Sequence, residues 1–362
     1  MSESFDIANT YNEDAKAAEA SIEKTMEVPV GSVLVELSSN GYYGASKKFH
    51  MIPFSPEDIT HLSLAENEDL PVRLAQLLQS SVVEKDENVL LYHKDEAVEY
   101  LIFLYMNFYN KKLTVPYKPT DDDRQFMKEH FFTEESEYQN WVNAVDSGKR
   151  KYEYEIDLTK LKYFEGTDKS KHYVTISKAG FKAKFGYPRY GDAVVLKRAV
   201  DEKFAQRDRQ FESNYEVYKR YVEMDRRLKA GEKVNMQYIP KLPKSEVKKM
   251  KEYEAEKLDY ITYLTKGLHL LEINGEDVSD KPLSERAAIM DSYRSAFGHA
   301  EFQNVANFFE KEVKVGVDHH LVVVNPVTSK PMEVDYPFRE LDILAALKNI
   351  SSEVDGVTYE VE

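Results

Sequence analysis

The residues from Phe211 to Val222, FESNYEVYKRYV, decide much of the fold through the spacing of their apolar side chains. Phe211, Tyr215, Tyr218 and Val222 follow one another at intervals of four, three and four residues. These intervals place the four side chains on one face of an α-helix, with charged residues between them. We expect a thin apolar stripe on a charged helix, and we interpret this stripe as a candidate partner interface.

A second apolar run follows the first and is separated from it by helix-breaking residues. Gly231, Pro240 and Pro243 interrupt the chain, because glycine is flexible and proline cannot continue a helix. The two runs together predict a long helical hairpin, inserted at residues 192–267. Such a hairpin either projects and needs a partner for its stripe, or lies on the parent core. The second run consists of Val247, Met250, Leu258, Ile261 and Leu264.

The charge of the chain is divided unevenly between the hairpin and the rest. Between Asp201 and Asp259 there are 15 Lys and Arg against 13 Asp and Glu, a net charge of +2. The whole chain has 49 against 64, a net charge of −15, which leaves −17 for the remainder. A chain this acidic is not typical of proteins that bind nucleic acids or anionic membranes, because both ligands require clustered cations.

The composition of the 362 residues sets further limits. Apolar residues make up 42%, which is enough for a real core and excludes global disorder. There is no cysteine, so disulfides, thiolate catalysis, iron–sulfur clusters and cysteine-bound zinc are excluded. Residues 1–27 lack the basic and apolar regions of a signal peptide and are predicted to form an acidic flexible arm. The apolar stretch Ala97–Tyr109 is too short to span a bilayer and predicts a buried helix.

Residues 28–191 are predicted to form an N-terminal α+β domain. Ser32–Leu37 alternates apolar and polar residues and predicts a strand, and Phe49–Phe54 predicts its return strand. Asn40-Gly41 between them is a strong turn signal, because both residues tolerate positive φ. Residues 151–190, later in the same domain, are expected to be rich in β-structure.

Helix starts in this domain are marked by capping residues. Ser55, followed by Pro56 and two acids, predicts a helix that runs to about Asn67. Thr120 is expected to cap a helix that begins with Asp121-Asp122-Asp123. The three acids are not followed by the glycine turn and bidentate glutamate of an EF-hand, so we do not predict a calcium loop. Further helices are predicted over residues 71–82, 94–110 and 135–145.

Residues 268–362 are predicted to form a C-terminal α+β domain. Leu268–Ile273 is an apolar run, and Asn274-Gly275 after it gives a second strong turn. Gly298 is expected to end an amphipathic helix over residues 284–297. The remaining predictions are a helix around Phe302–Phe309, extended runs over 314–324 and 331–336 that form a β-hairpin, and a last helix over 338–349.

These predictions define the expected fold class. It is α+β and mostly helical, with small antiparallel β-hairpins and an inserted long helical hairpin. The 25 Tyr and 18 Phe residues suit both core positions and interfaces, since a tyrosine ring can pack while its hydroxyl remains in contact with water.

No motif in the sequence points to a catalytic, cofactor or metal site. Asp318-His319-His320 is rich in histidine, but adjacent side chains on a strand point to opposite faces and rarely bind one ion. The sequence contains no Gly-x-Ser-x-Gly elbow, no His-Glu-x-x-His and no dinucleotide fingerprint. We therefore expect no enzymatic activity and no cofactor. A hydrolase is the alternative, because a catalytic triad can assemble from distant positions.

Three groups of segments, taken in order along the chain, carry a resemblance to a known family. The first is Val33–Gly44, VLVELSSNGYYG, a strand followed by a serine-rich turn and aromatic residues. The second is Ile52–Asp58, IPFSPED, which leads into a helix, followed by Leu74–Leu78, LAQLL. In this order they resemble the baseplate hub assembly proteins of T-even-type phages. The third group is C-terminal and comprises Leu270–Gly275, Gly316-Val317, a proline-containing loop, a second strand and a helix led by Phe338.

The resemblance implies a tail protein of a contractile-tailed phage. It would be either a structural part of the baseplate hub or inner baseplate in the virion, or a chaperone that builds the hub in the host cytoplasm. Its partners would be other tail and baseplate proteins, with self-association in a symmetric assembly. Some family members carry a cysteine pair in the C-terminal hairpin loop, but residues 325–331, NPVTSKP, have none, so no metal is implied. The alternative is a scaffold or adaptor outside phages.

Overall fold

The computed structural model describes residues 29–63, 70–164, 172–178, 180–231, 243–295 and 297–354. The acidic arm predicted for residues 1–27 lies outside this part of the chain. About 52% of the chain is helical and 19% is in strands that form small antiparallel sheets. The expected α+β class is therefore confirmed, including the β-hairpins and the long helical hairpin.

The described chain begins with the predicted β-hairpin. β1 (Val33–Val35) pairs antiparallel with β2 (Phe49–Met51), and both strands are shorter than the sequence suggests. Asn40 and Gly41 form the predicted turn after β1, with φ angles of 53° and 75° in the left-handed region.

Three helices follow β2 and supply much of the core. Ser55 caps the first as predicted, since its hydroxyl oxygen accepts the N–H of Asp58 at 3.1 Å. His93 caps the third: its Nδ1 accepts the N–H of Asp95 at 3.2 Å. A histidine cap is not among the helix starts that the sequence predicts. The three helices are α1 (Pro56–Ser63), α2 (Leu70–Ser80) and α3 (Lys94–Phe108).

A second antiparallel pair, β3 and β4, encloses two helices. Thr120 caps the first of these helices as predicted. Its hydroxyl oxygen accepts the N–H of Asp123 at 3.2 Å, and the Asp123 carboxylate accepts the N–H of Thr120 at 2.9 Å. This reciprocal capping box accounts for one acid of the aspartate triplet. The elements here are β3 (Lys112–Tyr117), α4 (Asp121–Phe131), α5 (Glu135–Asp146), β4 (Tyr152–Asp157) and β5 (Tyr163–Phe164).

A four-stranded antiparallel sheet joins segments from both sides of the helical hairpin. Its order is β6-β7-β8-β9, and the pairing of β7 with β8 crosses the whole hairpin in sequence. Asn274 and Gly275 form the predicted turn between β8 and β9, with φ angles of 50° and 89°. The strands are β6 (Tyr173–Lys178), β7 (Phe181–Gly186), β8 (Leu270–Ile273) and β9 (Glu276–Asp277).

The helical hairpin consists of α6 (Asp192–Lys229) and α7 (Lys244–Thr265). At 1.5 Å per residue, the 38 residues of α6 extend over about 57 Å. The chain enters and leaves the hairpin at neighbouring points of the four-stranded sheet, because the N–H of Gly186 donates to the carbonyl oxygen of His269 at 2.9 Å.

The C-terminal part contains the predicted β-hairpin between helices. One prediction is wrong: Gly298 does not end a helix but begins the next one, where the Glu301 carboxylate accepts its N–H at 2.7 Å. The preceding helix already ends at Ser292, so the glycine caps the N-terminus of its successor. The elements are α8 (Leu283–Ser292), α9 (His299–Glu312), β10 (Gly316–Val317, paired with β5), β11 (His320–Val324), β12 (Pro331–Asp335, paired with β11) and α10 (Glu340–Val354).

Two large hydrophobic clusters combine residues that the sequence assigns to different domains. In the first, Leu101 and Leu104 of α3 share a core with C-terminal side chains, among them Val317, Phe338 and Ile343. The second joins β7 to the C-terminal helices: Phe181, Phe185, Leu270, Phe297 and Val305. Packing therefore unites the segments on either side of the helical hairpin, although the sequence suggests domain limits at residues 191 and 268.

Candidate partner-binding surface

The base of the helical hairpin is fixed to the rest of the molecule. Val200 and Phe204 of α6 and Leu264 of α7 are buried together with Leu283 and Ala287 of α8. Helix α2 also packs against α6. These contacts lie near the N-terminus of α6 and the C-terminus of α7, so the hairpin is anchored at one end.

Aromatic side chains hold the two helices of the hairpin together. The rings of Phe211 and Tyr253 lie 4.9 Å apart, and that of Phe204 lies 5.7 Å from Tyr253. The Tyr253 hydroxyl donates to Asp208 at 2.7 Å. In this internal seam, Phe211 belongs to the apolar repeat that the sequence suggests, whereas Phe204 and Tyr253 lie outside both predicted runs.

The four predicted interface residues do not share one environment. Tyr218 is only 1% exposed, and its hydroxyl donates to Glu254 of α7 at 2.8 Å. Burial and the Glu254 carboxylate raise the pKa of this tyrosine above its ordinary value. Phe211 and Tyr215 are half-buried, whereas Val222 is 39% exposed. The hairpin thus uses Phe211 and Tyr218 for its own packing, and it leaves Val222 open at its outer part.

Charged pairs border the seam. The Arg207 guanidinium donates to both oxygens of Glu256, at 2.7 and 2.6 Å. Lys257 contacts Asp208 at 2.5 Å and lies 4.9 Å from the centroid of the Tyr253 ring. Since such exposed pairs contribute little to stability, their main effect is to fix how the two helices face each other.

A lateral groove runs along one flank of the seam. Leu196 and Val200 of α6 and Leu258 and Ile261 of α7 form its apolar lining, with Tyr215 at one side, and its volume is about 510 Å³. Leu258 is 63% exposed although it is a large apolar side chain. Sequence reasoning placed Leu258 and Ile261 in an apolar run but missed Leu196 and Val200. The four-residue steps from Leu196 through Val200 to Phe204 would have been the signal.

A second polar feature lies in the core, where glutamates hold the segment after β1. Glu99 accepts both the N–H and the hydroxyl of Ser38, at 2.8 and 2.7 Å. Glu96 accepts the N–H of His93 at 2.8 Å and that of Ala45 at 3.4 Å. These backbone N–H groups therefore donate to carboxylates, where in a sheet they would donate to the carbonyl oxygens of a paired strand. Two further glutamates act in the same way: Glu87 accepts from Ser46, and Glu84 accepts from His50.

Glu84, Glu87, Glu96 and Glu99 form a glutamate cluster, and burial changes the acid–base behaviour of Glu96 and Glu99. Burial raises the pKa of both Glu96 and Glu99 to about 7. The hydrogen bonds from the N–H groups of His93 and Ala45 to Glu96, and from Ser38 to Glu99, act in the opposite direction. Burial, together with Lys94, lowers the pKa of His93 to about 3. Glu96 and Glu99 are 0% and 1% exposed, which closes them to a substrate. We therefore assign the cluster to holding the fold.

The described residues contain no group of three His, Cys, Asp or Glu side chains placed to hold a metal ion. In the histidine-rich segment, His320 Nδ1 lies 3.0 Å from Asp335 on the paired strand, and this carboxylate raises the pKa of His320. Asp123 is occupied by its helix cap and by Asn325, whose side-chain amide donates to it at 2.7 Å. Among the described helices, none is long and apolar enough to cross a membrane.

Comparisons with known proteins found no relative. No family model, no curated protein and no solved structure matches this chain.

Proposed function

We propose that the protein is a structural component of the baseplate hub or inner baseplate of a contractile-tailed phage, and that it acts by binding other tail proteins. One observation carries the binding role: the helical hairpin has an apolar lateral groove in which Leu258 is 63% exposed. An open apolar groove between two helices is typical of a surface that another chain covers. The anchored base holds this surface in a defined position.

The carboxylates of the core and of the helical hairpin favour binding over catalysis. Glu96 and Glu99, whose pKa values are raised to about 7, bind backbone and serine groups and have almost no exposed surface. The carboxylates on the hairpin, such as Asp208 and Glu256, are paired with Lys257 and Arg207. An enzyme would instead need such groups to converge on an accessible pocket.

The baseplate assignment rests on the resemblance of segments at both ends of the chain, and most of these segments pack together in the structure. β1 and α2 carry the N-terminal part of the resemblance, and Gly316-Val317 and the helix after Phe338 carry the C-terminal part. Their buried side chains lie in one hydrophobic cluster. They therefore form a single body, into which the helical hairpin is inserted.

Quantitative mass spectrometry of gradient-purified virions tests this proposal. We expect the chain to be present at a fixed ratio to other tail proteins, while soluble host proteins are removed by the gradient. Tails should fail to form in a phage that lacks the gene. If the chain is absent from virions but tails still require it, a chaperone role replaces the structural one. Normal tails without the chain would overturn both.

A further inference from the structure

A separate pocket lies at the base of the helical hairpin, where the chain passes from β7 into α6 and from α7 into β8. Its volume is about 440 Å³. The N–H of Gly186 donates to the carbonyl oxygen of His269 at 2.9 Å, and the N–H of Gly191 donates to that of Leu90 at 3.0 Å. These backbone hydrogen bonds hold the walls of the pocket in place. A pocket of this size between fixed elements suits a small ligand.

Two arginine side chains line this pocket without a carboxylate partner. In the described part of the chain, neither Arg189 nor Arg286 forms an ion pair. The Nη1 atom of Arg286 donates to the carbonyl oxygens of Leu268 and Leu270, at 3.1 and 3.2 Å, which fixes the guanidinium. Its Nε is buried and has no hydrogen-bond partner among the described residues. Because buried donors normally find an acceptor, this unsatisfied atom indicates a site for a ligand that accepts hydrogen bonds.

The two guanidinium groups are close enough to repel each other. Burial and then the charge of Arg189 lower the pKa of Arg286, and this repulsion exceeds the attraction from Asp192. Burial, together with both arginines, lowers the pKa of His269 to about 4, so this side chain is neutral at pH 7. The inner part of the pocket therefore has positive charge that its own residues do not compensate.

Two carboxyl groups also line the pocket, and neither pairs with an arginine side chain. Asp192 accepts the backbone N–H of Arg189 at 2.7 Å and lies 3.6 Å from Nε2 of His269. Asp280 is exposed and forms no ion pair with the described residues. Asp280 can therefore accept a hydrogen bond from a hydroxyl group of a ligand.

These charges distinguish between classes of anion. A phosphate monoester carries a charge of about −1.5 to −2 at pH 7 and three acceptor oxygens that point in different directions. It can accept from both guanidinium groups, whereas a carboxylate carries a single charge and is satisfied by one guanidinium. A polymeric phosphate diester is disfavoured, because the chain has a net charge of −15.

The rest of the pocket suits the organic part of such an ester. Leu90, Leu91 and Tyr187 form an apolar wall, and Leu91 is 43% exposed. A sugar or a similar group could pack against this wall while its hydroxyl groups face Asp280.

We propose that this pocket binds a small phosphate monoester. Arg189 and Arg286 would bind the phosphate, and Asp280 would accept a hydrogen bond from the attached sugar or alcohol. Because Arg189 precedes α6 and Arg286 lies on α8, the ligand would join the two sides of the hairpin base. This inference goes beyond the proposed baseplate role and does not depend on it.

Isothermal titration calorimetry of the full-length chain in phosphate-free buffer tests the proposal, with ribose 5-phosphate as the probe. We expect a Kd below about 1 mM. Inorganic phosphate should bind more weakly, because it lacks the group that contacts the apolar wall. Ribose should show no binding, because it lacks the phosphate.

A matched pair of variants locates the site. Arg189→Gln removes an exposed guanidinium from the pocket and should weaken binding of ribose 5-phosphate at least about tenfold. The control is Arg198→Gln, which removes an exposed arginine of α6 that does not line the pocket. It should leave the Kd unchanged. Circular dichroism of each variant establishes that it is folded.

Histidine NMR of the chain without substitutions gives a second measurement. The ring signals of His269, which lines the pocket, should shift when ribose 5-phosphate is added. Those of His320, which does not line it, should stay unchanged.

Four results would overturn the inference. Ribose 5-phosphate could fail to bind, or it could bind no more tightly than ribose or inorganic phosphate. Arg189→Gln could bind it no more weakly than Arg198→Gln does, which would indicate general attraction to positive charge. The His269 signals could stay unchanged on binding, which would place the ligand elsewhere. None of these results affects the virion measurement, so the failure of the pocket and the failure of the baseplate role are distinguishable.

Discussion

The core around α3 and the helical hairpin both rely on carboxylates, but they use them in opposite ways. In the core, Glu96 and Glu99 are buried and accept hydrogen bonds from backbone and serine groups. In the hairpin, Asp208 and Glu256 remain at the surface and pair with cationic side chains. Removing a buried acceptor leaves its hydrogen-bond donors unsatisfied and lowers stability strongly. Removing an exposed ion pair changes stability little.

This difference assigns stability mainly to the core and binding mainly to the hairpin. The core gains from burial of apolar side chains and from satisfied backbone donors. The hairpin buries only a narrow seam, and it keeps Leu258 and Val222 exposed. We expect mutations in the core to change folding, and mutations on the hairpin flank to change binding.

The largest effect should come from a matched pair of leucine substitutions. Leu101 of α3 is 0% exposed, so Leu101→Ala leaves a cavity and should lower the free energy of unfolding by about 2–5 kcal/mol. Leu258→Ala on the hairpin should change it by less than about 1 kcal/mol. Urea denaturation followed by circular dichroism measures both. Equal losses for the two variants would mean that the hairpin flank is part of the core.

An intermediate effect should appear in the pH dependence of Glu99→Gln. Burial raises the pKa of Glu99 in the folded chain to about 7 from 4.5, so the folded state binds more protons between these values. The free energy of unfolding therefore falls as pH rises through this range. Glutamine keeps an acceptor for Ser38 but does not titrate. Relative to the wild type, the variant should gain on the order of 2–3 kcal/mol between pH 5 and pH 8.

The quantity to measure is the difference in the free energy of unfolding between Glu99→Gln and the wild type, and not the absolute value for either. The pKa of His93 is lowered to about 3, so this group contributes stability that is lost as pH falls below 6.5, in the opposite sense. That contribution is common to both proteins and cancels. Parallel pH profiles for the variant and the wild type would show that Glu99 is ionised, and not protonated, in the folded core.

The smallest effect should come from Val222→Ala. Val222 is exposed, and alanine has the higher helix propensity, so we expect a change within about 0.5 kcal/mol, in the stabilising direction. Thermal denaturation is sufficient to measure it. A decrease of more than about 1 kcal/mol in the free energy of unfolding would contradict this expectation. It would mean that Val222 is buried in the seam, which is where its spacing in the sequence would put it.

Local features of the fold could be predicted from the sequence, because short-range chemistry decides them. The turns at Asn40-Gly41 and Asn274-Gly275 need positive φ, and the cap at Thr120 needs only residues within one helical turn. The pairing of β5 with β10 could not be predicted, since two-residue strands far apart in sequence carry no pattern of their own. The role of Gly298 could not be predicted from the sequence, because a glycine suits either end of a helix.

The candidate surface was only partly predictable, for a geometric reason. Periodicity identifies the apolar face of a helix, and Phe211 and Tyr218 do lie on the seam. It does not tell which flank of that face the second helix leaves open. The lateral groove depends on how α7 is placed across Leu196 and Val200, which is a tertiary property.

The hydrogen bond between Gly186 and His269 has a consequence for how the molecule folds. Pairing β7 with β8 brings together residues from both sides of the helical hairpin, and closing so long a loop in a flexible chain costs entropy and slows folding. Contacts within the helical hairpin are more local. If α6 and α7 form first, they bring the two strands together in advance, so the effective loop becomes short. Early formation of the hairpin would then accelerate formation of the sheet at its base.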